Sequence, residues 1–274
     1  MTDGRYAVSL IPPLAAAGRA DEVVHRVSQA IQLGLFVDGE QLPSETDFAA
    51  QLGVSAMTLR EALATLREQG LVETRRGRTG GTFIRRPASP PVRALCERLR
   101  TMTTSALRDL ADEQFAVSGA AAKLAAARAS SVSVRRLRTL ADQLATAASL
   151  GSRIRADSRF HIEVAIASQS ERLTRLEVES QTRLGELLWL TPANLAAEQR
   201  GSGAPGQGAR AAGPLLPVRD VAQSFDPAEA AAEHRAIVAA IAAEDGDKAR
   251  LLAERHVERN LRWLTALRLA MALG

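Results

Sequence analysis

The chain has a single cysteine, Cys96, among its 274 residues. A disulfide framework within the chain is excluded, and a cytosolic location fits. Cys96 has no nucleophile context around it and reads as an inert core thiol. Aromatic residues make up only 3%, so alanine and leucine carry most of the 46% hydrophobic content, which favours helices. Lysine is almost absent: Lys123 and Lys248 are the only two, and arginine supplies the rest of the positive charge. Arginine suits phosphate and guanine contacts, although genomic base composition accounts for the bias equally well. No apolar run reaches the roughly 18 residues of a membrane span. The net charge of +4 and the isoelectric point near 10.1 permit an anionic partner such as nucleic acid without establishing one.

What is present divides in two. Residues 1–20, with Asp3 and the Pro12-Pro13 pair inside an apolar stretch, read as a disordered leader. Residues 21–34 read as a helix, with acids at its start and Val23, Val24, Val27 and Ile31 as its stripe. Ser44 can cap a second, short helix, with Asp47 three residues on, and Gly53 stops it. A third helix follows from Val54-Ser55 to about Gln69, burying Leu59, Ala62, Leu63 and Leu66. Two helices joined by a tight Gly-containing turn make a helix-turn-helix. After Gly70, residues 71–74 and 82–85 have strand character around the basic, Gly-rich tip 75–81, so they predict a β-hairpin wing. From Arg60 to Arg86 there are seven arginines against three glutamates, whereas the rest of the first 87 residues is net acidic. Positive charge therefore collects on the third helix and the wing, where phosphates would lie.

Pro87, Pro90 and Pro91 mark a linker over 87–91. Beyond it the pattern is helical, near 92–103, 106–129, 131–149, 152–168, 171–190, 228–244 and 247–272. Residues 195–225 break this rhythm with a stretch rich in glycine, alanine and proline, read as a mobile loop insertion. The expected fold is thus mainly α: a winged helix-turn-helix over 21–86, then an all-helical domain over 92–274.

Within that domain Asp157 and His161 sit four apart on an apolar helix, which places both on one face. His234 and His256 lie in later helices with Gly246 between them, consistent with an antiparallel pair. Singly, each of these histidines reads as an ordinary core or surface residue. Jointly, one aspartate and three histidines suit a borderline divalent ion of the zinc, nickel, manganese or cobalt class. His25, on the first helix, stands outside this set.

The stretch from Gly39 to Ile84 resembles the DNA-binding domain of the GntR family of bacterial transcription regulators. The matches are Leu42-Pro43-Ser44-Glu45, Gly53-Val54-Ser55, Leu59-Arg60-Glu61-Ala62-Leu63, Gly70-Leu71-Val72 and Gly81-Thr82-Phe83. The remainder is similar to the FCD effector-binding domain of the FadR-like branch. There Leu124-Ala125-Ala126, Asp157 with Phe160 and His161, Glu233-His234-Arg235 with Ile237, and Arg255-His256 fall in the family order. The resemblance implies a homodimer on a short palindromic double-stranded operator. It also implies a small molecule, in many members a carboxylic acid, seated at or near a metal bound by Asp157, His161, His234 and His256. The DNA-binding set it implies is Ser44, Glu45, Thr46, Ser55, Ala56, Met57, Thr58, Arg60, Arg76, Arg78, Gly80, Gly81 and Thr82.

The chain departs from the family at four positions. Thr46 and Ala56 stand where relatives often carry arginine, so their operator sequences do not transfer. Gln114 and Ser118 stand where relatives carry an arginine and, one turn later, a glutamate. An effector carboxylate then needs another partner, and Gln114, Arg153 and Arg183 are the candidates for effector binding. The expected function is a DNA-binding transcription regulator, of either sign, rather than an enzyme. The alternatives are a metal-dependent hydrolase, with Glu163 or Glu233 near the site in sequence, and a regulator without metal.

Overall fold

The computed structural model describes residues 20–77, 80–86, 92–194 and 225–273. They fall into two compact units that divide between residues 90 and 91. The leader at 1–19, the linker at 87–91 and most of the insertion, 195–224, lie outside the described residues.

The first unit runs α1 (Ala20–Gln32), α2 (Glu45–Leu52), α3 (Ala56–Glu68), β1 (Val72–Arg75) and β2 (Gly81–Ile84). Local chemistry sets the boundaries. The Ser44 hydroxyl accepts from the Asp47 amide and donates to the Asp47 carboxylate, opening α2. Gly53 closes α2 at φ 70°, a left-handed position that a Cβ disfavours. Ser55 caps α3 by accepting from the Thr58 amide. The strands pair antiparallel, Val72 facing Ile84 and Arg75 facing Gly81. A bridge from Gln41 to Phe83 ties the segment before α2 to the sheet. One core forms from Val23, Val27 and Ile31 of α1, Phe48 and Leu52 of α2, Leu59, Leu63 and Leu66 of α3, and Val72 and Ile84 of the hairpin.

The second unit is helical: α4 (Val92–Thr101), α5 (Thr104–Arg128), α6 (Ser131–Ala145), α7 (Leu150–Ala167), α8 (Glu171–Ser180), α9 (Pro227–Ala242) and α10 (Gly246–Leu273). The expected single helix over 171–190 is interrupted. It widens into a π turn at Gln181–Gly185 and tightens into a 3-10 turn at Leu187–Trp189. The cause sits at Gly185, where a Cβ would meet Gln181 Oε1 at 2.6 Å and Ser158 Oγ at 2.7 Å, so the backbone runs close against α7.

Two apolar clusters fill this unit. One gathers Ala121, Ala125, Phe160, Val164, Ile237, Ile241 and Ala253. The other gathers Leu107, Ile154, Leu184, Trp189, Ala230, Trp263 and Leu264. Helices α5, α7, α9 and α10 each contribute to both clusters, and between those contributions each carries a buried polar residue: Gln114 and Ser118, Asp157, His234, and His256 with Asn260. Glu177 and Gln181 lie likewise between Leu173, packed on the first cluster, and Leu184 of the second. The result is a polar layer across the waist of an otherwise apolar bundle.

Leu66, fully buried beneath the hairpin, tests the core of the first unit. Leu66→Ala should cost about 2–5 kcal/mol in denaturant unfolding of that unit. Met57→Ala, at a side chain 62% exposed, should stay within about 0.5 kcal/mol of wild type.

Candidate metal centre and nucleic-acid interface

The polar layer converges on four side chains. Asp157 and His161 come from one face of α7, His234 from α9 and His256 from α10, and all four are buried. One ligand atom from each lies within 4.8 Å of the others. His234 Nε2 is 3.4 Å from Asp157 Oδ1, and His161 Nε2 is 3.7 Å from the same oxygen. The three imidazole centroids are 4.9 to 5.0 Å apart. Asp157 Oδ1 and the Nε2 atoms of all three histidines are buried without a hydrogen-bond partner. Four orphaned lone-pair donors in one place would be costly in a finished core. A divalent cation satisfies all four at once, so the residues fit such an ion.

The surroundings orient the set. Trp189 donates its indole N–H to Asp157 Oδ2 at 3.2 Å, leaving Oδ1 facing the histidines. His234 stacks on Phe160, centroids 3.8 Å apart. Glu233 Oε2 is 2.6 Å from His256 Nδ1, so a carboxylate fixes the ring with Nε2 facing inward, the usual support for a ligating histidine. Burial pushes the Asp157 carboxyl up to about 6, and burial also holds His161 and His234 well below the ordinary imidazole range. Neutral imidazoles are the form that binds metal.

Beside this set, Glu177 is buried and accepts from Ser118 Oγ at 2.8 Å and from Gln181 Nε2 at 2.9 Å. Burial raises its pKa, while Gln181, Ser118 and Gln114 oppose the shift. The expected partners for an effector carboxylate fare differently. Gln114 is in the layer, with its Nε2 unpaired. Arg153 instead donates to the Ala147 carbonyl at 3.1 Å. Arg183 is half exposed and paired with Glu179 and Glu113, so it serves α8 and α5 rather than the layer. Arg153 and Arg183 are thus engaged by neighbouring acceptors. The residues missed were Glu177, Gln181, Trp189, Phe225, Asn260 and Arg259. Phe225, expected at the end of an insertion without chemistry, packs at 4.8 Å from Trp189 and 6.2 Å from Trp263. Asn260 had a legible signal, since it falls one turn after His256 on the same face.

Neither glutamate suggested for hydrolysis is free. Glu233 holds His256 and Arg259, and Glu163 pairs with Arg136 at 3.2 Å and with Arg159 at 3.7 Å. Glu163 is offset by two residues from His161, which turns it to the opposite face of α7.

On the first unit, Ser44, Glu45, Thr46, Ser55, Ala56, Met57, Arg60 and Arg76 are exposed, and Thr58, Gly80, Gly81 and Thr82 are partly so. Arg78 lies outside the described residues. Arg60 Nε donates to Glu45 Oε2 at 2.8 Å, linking the start of α2 to α3. Arg75 lies over the Phe83 ring at 4.2 Å. The wing glycines have a packing reason. A Cβ on Gly80 would meet the Arg75 carbonyl at 2.5 Å, and one on Gly81 would meet Gln41 Nε2 at 2.5 Å. Gln41 also donates to the Gly80 carbonyl at 3.0 Å, so the hairpin tip is pinned to the segment before α2.

A winged helix-turn-helix with an exposed basic edge, followed by a helical unit, is the architecture of a DNA-binding regulator with a second, helical domain. The description "Bacterial regulatory proteins, gntR family" matches residues 19–84, and the FCD domain matches residues 109–203. The chain is 38% identical over 243 residues to the protein named as HTH-type transcriptional regulator RmpR of Mycobacterium gastri, covering 89% of this chain and 79% of that one. It is 35% identical over 159 residues to a protein named as the L-lactate dehydrogenase operon regulatory protein of Escherichia coli K12, covering 55% of this chain and 59% of that one. Among solved structures, E. coli McbR/YncC aligns over 90% of this chain and 96% of its own, with a TM-score of 0.48 and 15% identity. The chain belongs to the GntR family, with an FCD domain, and is a DNA-binding transcription regulator. The FCD match ends at 203, so His234 and His256 lie beyond it.

The buried histidines set a pH signature for the metal-free protein. His161 and His234 have lowered pKa values in the fold, so they stay neutral there while the unfolded chain takes up protons below about 6.5. Their contribution to stability is whole above that pH and is lost as pH falls. Asp157 acts oppositely: its raised pKa favours the fold at low pH, and that gain is lost as pH rises through about 6. In chelator-treated protein, lowering the pH from about 7.5 to about 5.5 should therefore destabilise wild type more than His161→Gln. Thermal melts showing equal losses for the two would rule out a neutral buried His161.

Proposed function

We propose that the helical unit is a metal-assisted sensor and that a small molecule bound there, an organic acid by preference, changes the hold of the first unit on its operator. The observation that carries this reading is the convergence of four unpartnered ligand atoms, Asp157 Oδ1 and three imidazole Nε2 atoms, in a buried polar layer. Zinc, nickel or manganese suits that donor set. When bound, the ion supplies a Lewis-acidic centre that holds an anionic ligand. The protein's own part is to fix His256 through Glu233 and to aim Asp157 through Trp189. Three helices meet at the set, α7, α9 and α10, so a ligand there can bias how they pack. The relative named for an L-lactate dehydrogenase operon makes lactate a reasonable first effector to test. A homodimer reading two half-sites would suit a helix-turn-helix operator.

For DNA, α3 would present Ser55, Ala56, Met57, Thr58 and Arg60 to the major groove, with Arg76 and Arg78 on phosphates and Ser44, Glu45, Thr46, Gly80, Gly81 and Thr82 around them. Met57, 62% exposed, suits a thymine methyl. Arg60 must exchange Glu45 for a base or phosphate, and an exposed pair of that kind is weak.

Two measurements test these assignments. In gel shifts on the protein's own promoter, Arg60→Ala should weaken binding by about 1–3 kcal/mol, and unchanged affinity at moderate salt would exclude a base contact. Metal analysis of purified protein should find close to one divalent ion per chain in wild type and a large loss in His161→Ala. Protein that takes up no metal, yet still responds to effector, would replace this reading with a metal-free sensor.

A further inference from the structure

The family position for a cationic ligand clamp is occupied here by neutral Gln114, and neither Arg153 nor Arg183 reaches the layer. A different arginine stands where those two were expected to act. Arg259 lies on α10, three residues after His256. Its Nη1 pairs with Glu233 Oε1 at 3.0 Å and approaches Glu229 Oε2 at 4.0 Å. Its guanidinium lies over the Phe225 ring, 4.7 Å from the centroid. Its Nε and Nη2 are buried and have no hydrogen-bond partner among the described residues. Those two nitrogens form one edge of the guanidinium, with parallel N–H groups at the spacing of a carboxylate's two oxygens. Native interiors seldom leave such donors unpaired.

We propose that this edge of Arg259 is the carboxylate-binding fork of the helical unit, replacing a clamp on α5 with one on α10. The inference rests on reading that unit as a sensor of small organic anions. Proximity to the metal set is built into the contacts. Glu233 bridges the two, with Oε1 on Arg259 and Oε2 on His256 Nδ1. The positive charge of Arg259 also reaches Asp157, His161 and His234. Arg98 offers a comparison. Its Nε and Nη2 are likewise buried and unpaired, yet it pairs with Glu186, and its charge acts on that acid rather than on the metal set. A free edge beside the histidines is therefore peculiar to Arg259 among these two. The fork also explains how the site can accept an anion although Asp157, Glu177 and Glu233 already bring carboxylates. Nη1 and the ring face satisfy the arginine's local partners and leave the Nε edge for the ligand. A monocarboxylate suits that balance better than a phosphate, which would add a second negative charge next to three acids.

The test is calorimetric titration of the full chain, loaded with zinc, using L-lactate, acetate and inorganic phosphate as probes. Wild type should bind at least one of the two carboxylates more tightly than phosphate. Arg259→Gln should weaken carboxylate binding by about tenfold or more, Arg259→Lys by a similar factor because it keeps the charge for Glu233 but loses the fork, and Arg98→Gln not at all. Circular dichroism and zinc content should be retained in Arg259→Lys. Wild-type affinity in either Arg259 variant overturns the fork, as does an equal loss in Arg98→Gln, a preference for phosphate, or no carboxylate binding by wild type. A wild-type chain that binds carboxylate through Arg259 while holding no zinc leaves the fork standing and removes the metal from the sensor.

Discussion

The helical unit depends on one constraint: a layer of buried polar groups must be satisfied between two apolar clusters. Asp157, His161, Glu177, Gln181, His234, His256 and Asn260 are all buried between two clusters built mostly of alanine, leucine, isoleucine and valine. Burial of such groups is unfavourable unless each finds a partner. Part of the layer solves this internally. Glu177 gathers Ser118 and Gln181, Asp157 takes the Trp189 indole, and Glu233 takes His256 and Arg259. The part that does not includes the inward edge of the Asp-His set and the Nε edge of Arg259, together with amide atoms of Gln114, Gln181 and Asn260. The first of these is complementary to a cation and the second to an anion. On the proposed reading, a layer completed by an ion and its ligand would tie bundle stability to ligand binding by mass action.

Glu233 is the residue that makes these two needs one. Its carboxylate has one oxygen on the His256 imidazole and the other on the Arg259 guanidinium. On the proposed reading, moving Arg259 would alter the charge that Glu233 presents to His256, and a cation on His256 would alter what Glu233 offers to Arg259. Such coupling is reciprocal whichever ligand arrives first. It also explains why Glu233 is a poor general base, since both of its oxygens are already engaged.

Much of this was legible in the residue order. The apolar stripe Leu59, Ala62, Leu63, Leu66, the caps Ser44 and Ser55 and the stop at Gly53 are local signals, and they mark α2 and α3 within a residue or two. Asp157 and His161 announced themselves because a four-residue spacing needs no tertiary knowledge. His234 and His256 required only that two helices turn back at Gly246. The contacts of Arg153 and Arg183 were not legible. A long side chain goes to its nearest acceptor, and the residue order does not reveal that this is Ala147 for one and Glu179 for the other. The π turn at Gln181–Gly185 was equally hidden, because it comes from the close approach of Gly185 to Ser158 on another helix. Glu177 carries no local signal of burial, and only the packing of α8 on α5 and α7 buries it.

The chain's near-exclusive use of arginine acquires two distinct physical meanings. Arg60 is exposed and paired with exposed Glu45, a contact that solvent and salt weaken to about 1 kcal/mol or less. It can therefore leave Glu45 for a guanine or a phosphate at little cost. Arg259 is largely buried, stacked on Phe225 and tied to Glu233, so its orientation is set before any ligand arrives. Lysine would serve the first role tolerably, as a mobile point charge near phosphates. It would not serve the second, because an ammonium cannot satisfy Glu233 with one edge while presenting two parallel donors with another. On the proposed reading, the surface site would depend on an arginine that is easily released, and the buried site on one that Glu233 and Phe225 hold in place.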